Sequence, residues 1–444
     1  MHLELIIFFI KMNSKELVKQ TIINNQERLE GINSVERNVV LPLKSGKIIT
    51  VPGVRRCGKS TLLLLTIKQL LAKGVNRSNI LFFNFDDERI KWDGSNLDTI
   101  ITAYRELYPE IPLRETHIFF DEIQMASDWQ SFVRRIYEDE CRNIYITGSN
   151  SQMLSSELAT SLRGRSLQYE VFPLSFDEMC RFRNVDTSVY SAVSRARLTA
   201  LFDEYLMWGG FPEVVMADDN LKMKILSDYF YVMLYRDMIE HFNINPASVA
   251  RYFIRRVMEN ITKPTSINKI YNELKSMGVA ISKERAYTLA EQCEAIYLFL
   301  PLSKYTASVQ LSTKSDTKYY CIDNGLRKLT LRPQSDDSGK MLENTVYLHL
   351  RRNLDEIQKL SYFKANGECD FVISRQEEVE KLIQVTWDMS DEETYNRELS
   401  GILEASKATG CTDMYIVTHD DERDIETDCG TVKVVPAWKW ALTL

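Results

Sequence analysis

The segment from Gly53 to Ser60 carries the strongest chemical signal in this 444-residue sequence. It reads Gly-Val-Arg-Arg-Cys-Gly-Lys-Ser and fits the spacing GxxxxGK[ST]. Glycines let such a loop curl until successive backbone N–H groups face phosphate oxygens. Lys59 would then reach the β- and γ-phosphates, and the Ser60 hydroxyl would ligate Mg²⁺. The spacing therefore predicts a binding loop for ATP and Mg²⁺.

The context of this loop fits the same prediction. An apolar strand, Ile48–Val51, precedes it, and a helix, Thr61–Lys73, follows and points its positive N-terminal end at the anion. The role of Arg55 and Arg56 is not decided by the pattern. They either steer phosphate, pair with acids of a neighbouring domain, or are solvated. The residues predicted to contact the nucleotide are Gly53, Val54, Arg55, Arg56, Cys57, Gly58, Lys59, Ser60 and Thr61.

Two acids end a second apolar run about 60 residues after the loop, in His117-Ile-Phe-Phe-Asp121-Glu122. A carboxylate at such a strand end can hold Mg²⁺, and the next one can polarise the attacking water. We assign Asp121 to the metal and Glu122 to the general base, which predicts hydrolysis of ATP to ADP and phosphate. The alternative is a strand that ends in solvated acids.

A third apolar run, Ile144–Thr147, ends in Gly-Ser149-Asn150. A polar side chain at this strand tip can sense the γ-phosphate, so Asn150, with Ser149 second, is the predicted sensor. The alternative is a plain turn, because Gly, Ser and Asn all favour turns.

Phosphoryl transfer also needs positive charge near the transition state. Arg165, less favourably Arg163, is the predicted arginine finger, acting within its own subunit or on a neighbour. Arg236 is the other candidate. For each of these arginines the alternative is a surface salt bridge.

The composition argues against long disordered segments, a disulfide framework and a zinc site. Hydrophobic residues make up 44% and charged residues 26%, which is ordinary globular usage. The net charge of −7 means that DNA contact would need a local basic face. Eight cysteines without a CxxC pair indicate reduced cytoplasmic thiols. The apolar run Leu3–Ile10 is too short to span a bilayer, and Met12 is the expected natural start.

Periodicity divides the chain into regions. Continuous apolar runs between helical stretches predict a parallel sheet covered by helices from about residue 47 to 172. The predicted strands are Ile48–Val51, Ile80–Phe85, His117–Phe120, Ile144–Thr147 and Leu167–Phe172. Amphipathic stretches dominate from 173 to 262 and predict a helical subdomain. A helix, a turn, a second helix and a β-hairpin at 265–322 predict a winged helix, and alternating strands and helices after 340 predict a second α/β domain.

Six motifs occur in one order: GVRRCGKST, IFFDEIQ, YITGSNSQML, LRGR, PLSFDE and GGFPE. Together they resemble prokaryotic AAA-type ATPases of the STAND-like, archaeal-ATPase group, from about residue 35 onward. The resemblance implies that the loop strand and the sensor strand are neighbours in the sheet and that Arg165 is the family's arginine. It also implies that Gly210 and Pro212 report nucleotide state to the winged helix.

The C-terminal part resembles a restriction-endonuclease fold with a PD-(D/E)xK core. Glu343 matches the helical acid and Asp370 the metal acid. The next strand departs from the pattern, because it has Gln384 and Thr386 where Glu and Lys are expected. Mg²⁺ and an activated water need two carboxylates and a lysine, so we expect an inactive remnant. A migrated lysine, Lys364 or Lys381, is the alternative that would restore a nuclease.

The region 251–285 carries eight basic residues against three acidic ones, which favours a phosphate-contacting face. Against this, Glu284, Glu291 and Glu294 lie on the second helix, and the winged helix of STAND-like proteins can be an internal signalling domain. DNA and a protein therefore both remain possible partners, an oligomer is open, and no membrane association is expected.

The expected architecture is α/β and multidomain, in a cytoplasmic protein. Its predicted parts are an N-terminal segment (1–34), an AAA-type P-loop core (35–180), a helical subdomain (181–262), a winged helix (263–325) and an endonuclease-like α/β domain (326–444). The expected function is an ATP-driven conformational switch on a protein or DNA partner. The alternatives are an ATP-gated DNA nuclease and a DNA-tethered regulator with a nucleotide-sensing site.

Overall fold

The computed structural model describes residues 15–27, 29, 35–92, 94–149, 162, 164–306, 317–330 and 337–443. The chain forms two compact units, Met1–Val171 and Phe172–Leu444. The expected start at Met12 lies outside the described residues.

The first unit is built on a five-stranded parallel sheet in the order β2-β3-β4-β1-β5. Its strands are β1 (Ile48–Pro52), β2 (Ile80–Asn84), β3 (His117–Asp121), β4 (Ile144–Gly148) and β5 (Ser166–Gln168). Strands β1, β3 and β4 are buried along their whole length, because they lie inside the sheet. The predicted parallel sheet, with the loop strand β1 beside the sensor strand β4, is confirmed.

The fifth strand is shorter than its apolar run predicted. It ends at Gln168 rather than Phe172, and Leu167 and Gln168 are both exposed. Among the described strands, β5 lies at the sheet edge and pairs only with β1. Its outer side has no described strand to pair with, so pairing there does not extend it. Val171 returns to the sheet through a bridge to Gly53.

The described residues of this unit form four α-helices: residues 15–27 (α1), α2 (Lys59–Ala72), α3 (Asp98–Leu107) and α4 (Trp129–Asp139). The last three each connect two strands of the sheet, as parallel pairing requires. The core beneath them is aromatic, with edge-to-face contacts at 5.3–5.5 Å among Phe83, Phe85, Trp92 and Phe120.

The second unit opens with helices, as the amphipathic stretches predicted. They are α5 (Phe176–Phe182), α6 (Ala192–Trp208), α7 (Pro212–Met216), α8 (Asp219–Val232), a π-helix (Met233–Glu240) and α9 (Ala247–Glu259). Gly209 breaks the run at a left-handed φ of 75°. Pro212 then starts α7 at the first helical position, where its missing N–H removes no hydrogen bond.

A small antiparallel sheet follows in the order β6-β8-β7. Its strands are β6 (Pro264–Thr265), β7 (Phe299–Leu302) and β8 (Thr317–Cys321), and between β6 and β7 lie α10 (Ile267–Ser276) and α11 (Lys283–Ala295). The Ser282 hydroxyl accepts from the Arg285 N–H and caps α11. Two more helices, α12 (Asn324–Thr330) and α13 (Asp337–Asn353), lead to the last sheet.

The C-terminal sheet is mixed and six-stranded, in the order β13-β14-β12-β11-β10-β9. Its elements are β9 (Gln358–Lys364), β10 (Glu368–Arg375), β11 (Glu378–Val385), α14 (Glu392–Thr409), β12 (Met414–Thr418), β13 (Arg423–Thr427), β14 (Gly430–Pro436) and α15 (Ala437–Trp440). Strand β13 has no apolar run, because it is a largely exposed edge strand. Among the helices of the described ranges, none is long and apolar enough to cross a membrane.

Candidate functional site: the phosphate-binding loop

The loop after β1 has room for glycine alone at its first position. A Cβ on Gly53 would lie 2.2 Å from the carbonyl oxygen of Val171. At the other end, Gly58 adopts φ 102° and ψ 21°, a left-handed conformation that favours glycine, and α2 begins at Lys59. Between them, the buried Cys57 Sγ donates to the Val171 carbonyl at 3.3 Å, and burial raises the pKa of this thiol. The loop is therefore held tightly against the chain after β5.

Arg37 is a contact of the loop that the sequence did not reveal. Its Nη1 donates to the Cys57 carbonyl at 2.8 Å, and the residue is 8% exposed. The carbonyl and the N–H of the next residue lie in one peptide plane and point in opposite directions within it. By holding the Cys57 carbonyl, Arg37 fixes the direction of the Gly58 N–H, which is the kind of order that an anion-binding loop requires.

Lys59 is buried, with a side chain only 3% exposed. Its Nζ donates to the Val54 carbonyl at 3.1 Å and lies 3.4 Å from Oε1 of Glu122. A buried ammonium group needs such partners, because it has lost its water. The loop lysine and the predicted general base therefore meet.

Asp121 ends β3 and is fully buried. Its Oδ1 accepts from Thr147 Oγ1 at 2.6 Å, and its Oδ2 accepts from Asn84 Nδ2 at 3.1 Å. Both donors come from neighbouring strands at the same carboxyl edge of the sheet. Burial raises the pKa of Asp121, and hydrogen bonds from Thr147 and Ser60 oppose this rise. The two residues predicted to ligate Mg²⁺, Ser60 and Asp121, therefore touch each other.

Glu122 follows in a left-handed conformation with φ 52°, which is uncommon for a residue with a side chain. Its N–H donates to Thr147 Oγ1 at 2.9 Å, and its Oε2 accepts from Gln124 Nε2 at 2.5 Å. Burial alone would raise the pKa of Glu122, but Lys59 and Gln124 outweigh it, so the pKa is lowered. The carboxylate is therefore ionised at neutral pH and able to accept a proton.

Gln124 also connects the base to the predicted sensor strand. The same Nε2 lies 3.1 Å from Ser149 Oγ, just after β4. Asn150, the first-choice sensor, lies outside the described residues, as does Arg163. Gln124 was present in the IFFDEIQ motif, and its place two residues after Glu122 was the signal that could have identified it.

Arg165 lies away from this edge of the sheet. Its carbonyl accepts from the Ile48 N–H at 2.8 Å, at the amino end of β1, whereas the loop follows the carboxyl end. Its guanidinium forms an ion pair with Glu138. Within this unit the structure does not bring Arg165 to the loop. Arg55 is paired inside the unit as well, with Nη1 3.9 Å from Asp86 Oδ2.

A second carboxylate cluster lies in the C-terminal unit, around the predicted nuclease residues. Glu343 and Asp370 are close together as predicted, but the lysine between them is Lys318 of β8. Neither Lys364 nor Lys381, the two alternatives for the catalytic lysine, lies between these carboxylates. Lys364 reaches Glu368 at 3.0 Å, and Lys381 lies 3.9 Å from Asp413. In the part of the chain that the structure describes, no group of three or more His, Cys, Asp or Glu residues is arranged to hold a metal ion.

A parallel sheet with a glycine-rich loop after β1 and an acid pair at the end of β3 defines a P-loop ATPase core of the AAA type. Residues 45–180 match the family described as an AAA domain, and residues 199–337 match a domain of unknown function, DUF8612. The second match begins within α6 and includes α7 to α12 and the small antiparallel sheet.

Two relatives share most of the chain. The uncharacterized protein MJ1544 of Methanocaldococcus jannaschii is 34% identical over 445 residues, covering 97% of this chain and 96% of the relative. An uncharacterized protein of Haemophilus influenzae is 32% identical over 350 residues, covering 78% of this chain and 83% of the relative. The chain therefore belongs to the same family as these two proteins.

Among solved structures, a Walker-type ATPase of Pyrococcus abyssi matches 64% of this chain and 90% of its own, with 16% identity and a TM-score of 0.41.

Proposed function

We propose that the chain binds ATP with Mg²⁺ at residues 53–61 and hydrolyses it to ADP and phosphate. The observation that carries this proposal is the meeting of Lys59, Ser60, Asp121 and Glu122 at one edge of the parallel sheet. An ammonium group, a hydroxyl and two carboxylates are the groups that phosphoryl transfer requires.

The residues fit the nucleotide and the metal. A glycine-walled loop leads into a helix N-terminus, which favours an anion. Ser60 and Asp121 would hold Mg²⁺, which when bound neutralises phosphate charge. Lys59 would exchange the Val54 carbonyl and Glu122 for phosphate oxygens.

Glu122 would act as the general base. Its Oε1 would take the proton of the attacking water, while Gln124 holds its Oε2 in place. Because one oxygen of the carboxylate is fixed, the direction of the other oxygen is restricted. Oε1 would then face the attacking water in a single orientation.

We further infer that ATP turnover drives a conformational switch. The motif segments of the second unit support this, because they are joined through one buried carboxylate. Asp323 Oδ2 accepts from the Gly210 N–H at 2.7 Å, and its Oδ1 accepts from the Gly325 N–H at 2.8 Å. Gly210 in turn accepts from the Leu174 N–H at 2.7 Å. A displacement of the GGFPE segment would therefore shift or break its hydrogen bonds to residues 174 and 323, and would move residue 325 through Asp323.

We propose that the region predicted as a winged helix (263–325) is one, because β6, α10, α11, β7 and β8 follow one another there along the chain, directly after α9. Its basic face is smaller than its sequence suggested. Arg256 forms a two-pronged pair with Glu273 at 2.8 and 2.9 Å, and Arg255 pairs with Glu259 at 3.1 Å. Charges neutralised in this way contribute little to phosphate binding, so a protein partner is favoured over DNA.

ATP binding and turnover by Lys59→Ala, compared with the wild type, test the proposed activity. We expect loss of binding and of phosphate release, since the ammonium that faces the phosphates is removed. Lys68→Ala, on the exposed side of α2, is the matched control and should behave as the wild type. Unchanged turnover in Lys59→Ala would refute the assignment.

A further inference from the structure

Lys318 lies at the centre of the C-terminal carboxylate cluster. Its Nζ lies 2.7 Å from Glu368 Oε1, 3.0 Å from Asp370 Oδ1 and 3.3 Å from Glu343 Oε1. Its side chain is only 1% exposed. The three acids come from α13 and β10, whereas the lysine comes from β8 of the small sheet. One ammonium group therefore occupies the position among the carboxylates that a metal ion would need.

The carboxylates also have other donors. Glu343 Oε1 accepts from the Tyr320 hydroxyl at 2.8 Å, and Asp370 Oδ2 accepts from the Val385 N–H at 3.0 Å. Glu368 Oε2 lies 3.0 Å from Lys364 Nζ. Oxygen atoms engaged in this way are not free to ligate a metal ion, because a cation would have to displace their donors.

The charges of the cluster balance without a metal ion. Burial, and the neighbouring Asp370, raise the pKa of Glu343, so a further negative charge beside Asp370 is disfavoured. The carboxylates of Glu368 and Asp370 then face the ammonium groups of Lys318 and Lys364. A buried ion cluster is tolerated when charge and hydrogen bonds are both satisfied.

Gln384, in place of an expected acid, has a structural reason in the same cluster. Its Oε1 accepts from the Asp370 N–H at 3.1 Å, and its Nε2 donates to Glu398. A group that accepts at one end and donates at the other must be an amide at neutral pH. A glutamate here would lose the donor and face a second carboxylate.

We propose that Lys318 is the built-in cation of this cluster, which it closes to divalent metal ions while it joins the small sheet to the six-stranded sheet. The position of Lys318 distinguishes it from a catalytic lysine. A lysine that activates water stands beside a metal ion and faces the substrate, whereas Lys318 is buried between the carboxylates. The proposal is independent of the ATPase activity.

The test is Mn²⁺ binding by the nucleotide-free, full-length chain. Binding is measured by titration calorimetry and by the shift in the temperature of thermal unfolding. Lys318→Ala should unfold at a temperature lower by roughly 10 °C, because it leaves buried carboxylates without their counter-ion. Mn²⁺ should restore part of this loss in Lys318→Ala, and not in the double variant Lys318→Ala, Asp370→Asn. Lys364→Ala, which removes the more exposed lysine, is the control and should gain no such rescue.

Wild type and Asp370→Asn decide the question even if Lys318→Ala does not fold. We expect the two proteins to bind Mn²⁺ equally. Any Mn²⁺ that both bind should then be bound at the ATP site and not at the carboxylate cluster. Wild-type Mn²⁺ binding that disappears in Asp370→Asn would overturn the proposal, as would Mn²⁺-dependent DNA cleavage lost in that variant. A folded Lys318→Ala without Mn²⁺ rescue would also contradict it.

Discussion

Nζ of Lys59 lies 3.4 Å from Oε1 of Glu122, and the two side chains are 3% and 13% exposed. The lysine that we propose to bind phosphate is thus the counter-ion of the proposed general base. An arriving phosphate competes for the same ammonium group. Binding of the substrate would therefore free Glu122 at the moment when a base is needed, while a nucleotide-free loop keeps it paired.

Gln124→Leu should impair the base more than the binding of ATP. Loss of the hydrogen bond from Nε2 removes one cause of the lowered pKa of Glu122, so this pKa should rise. The acid limb of the pH profile of kcat should then move to higher pH. Because the Glu122 carboxylate also loses the hydrogen bond that orients it, kcat at neutral pH should fall roughly tenfold, with little change in KM. The measurement is steady-state phosphate release across pH. Gln130→Leu, on α4, is the control, and an unshifted profile in Gln124→Leu would contradict the account.

Arg37→Ala should weaken ATP binding. The variant loses the donor that holds the Cys57 carbonyl, and a hydrogen bond from a charged group contributes about 1.5–3 kcal/mol. We expect the Kd for ATP to rise about tenfold or more, with a smaller effect on kcat, because Arg37 orders the loop and does not touch the proposed reacting groups. Titration calorimetry with ATP measures this. Arg37→Lys should recover part of the affinity, and an unchanged Kd in Arg37→Ala would remove the role.

Asp323→Asn should change how the stability of the second unit depends on pH. Burial raises the pKa of Asp323 to about 7 in the folded chain, above the value of about 3.9 in an unfolded chain. Between these two values the folded state holds the extra proton, so this group's contribution to stability falls as pH rises from about 4 to about 7. The wild type minus variant difference in unfolding free energy should therefore be larger at pH 5 than at pH 8.

Urea unfolding at the two pH values measures that difference. Asp424→Asn, on the exposed edge strand β13, is the control and should show no comparable change between pH 5 and pH 8. A difference for Asp323→Asn that is the same at both pH values would mean that the carboxyl group does not titrate in this range.

The features predicted correctly from the sequence are those that local pattern encodes. A few consecutive residues suffice to identify the loop spacing, each buried strand and the acids at the end of β3. The loop and the acids come together because the carboxyl ends of parallel strands lie at one edge of a sheet. Arg37 and Lys318 were missed because their partners lie 20 residues or more along the chain, and no periodicity marks such contacts.

The arginine finger prediction overlooked a readable signal. A residue directly before a parallel strand lies at the amino edge of the sheet, so the place of Arg165 before β5 already set it apart from the loop. A role in a neighbouring subunit stays a prediction. Strand β13 illustrates a different limit, since its polar sequence Arg-Asp-Ile-Glu-Thr gives no apolar run.

The most direct test of the proposed activity is ATP turnover with Mg²⁺ by the wild type and by Glu122→Gln, each with and without duplex and single-stranded DNA. The variant keeps the shape of the side chain but cannot take up a proton. We predict turnover in the wild type and a loss of about 100-fold or more in Glu122→Gln, with ATP still bound. Equal turnover in the two proteins, or ATP binding without turnover in the wild type, would contradict the proposed hydrolysis.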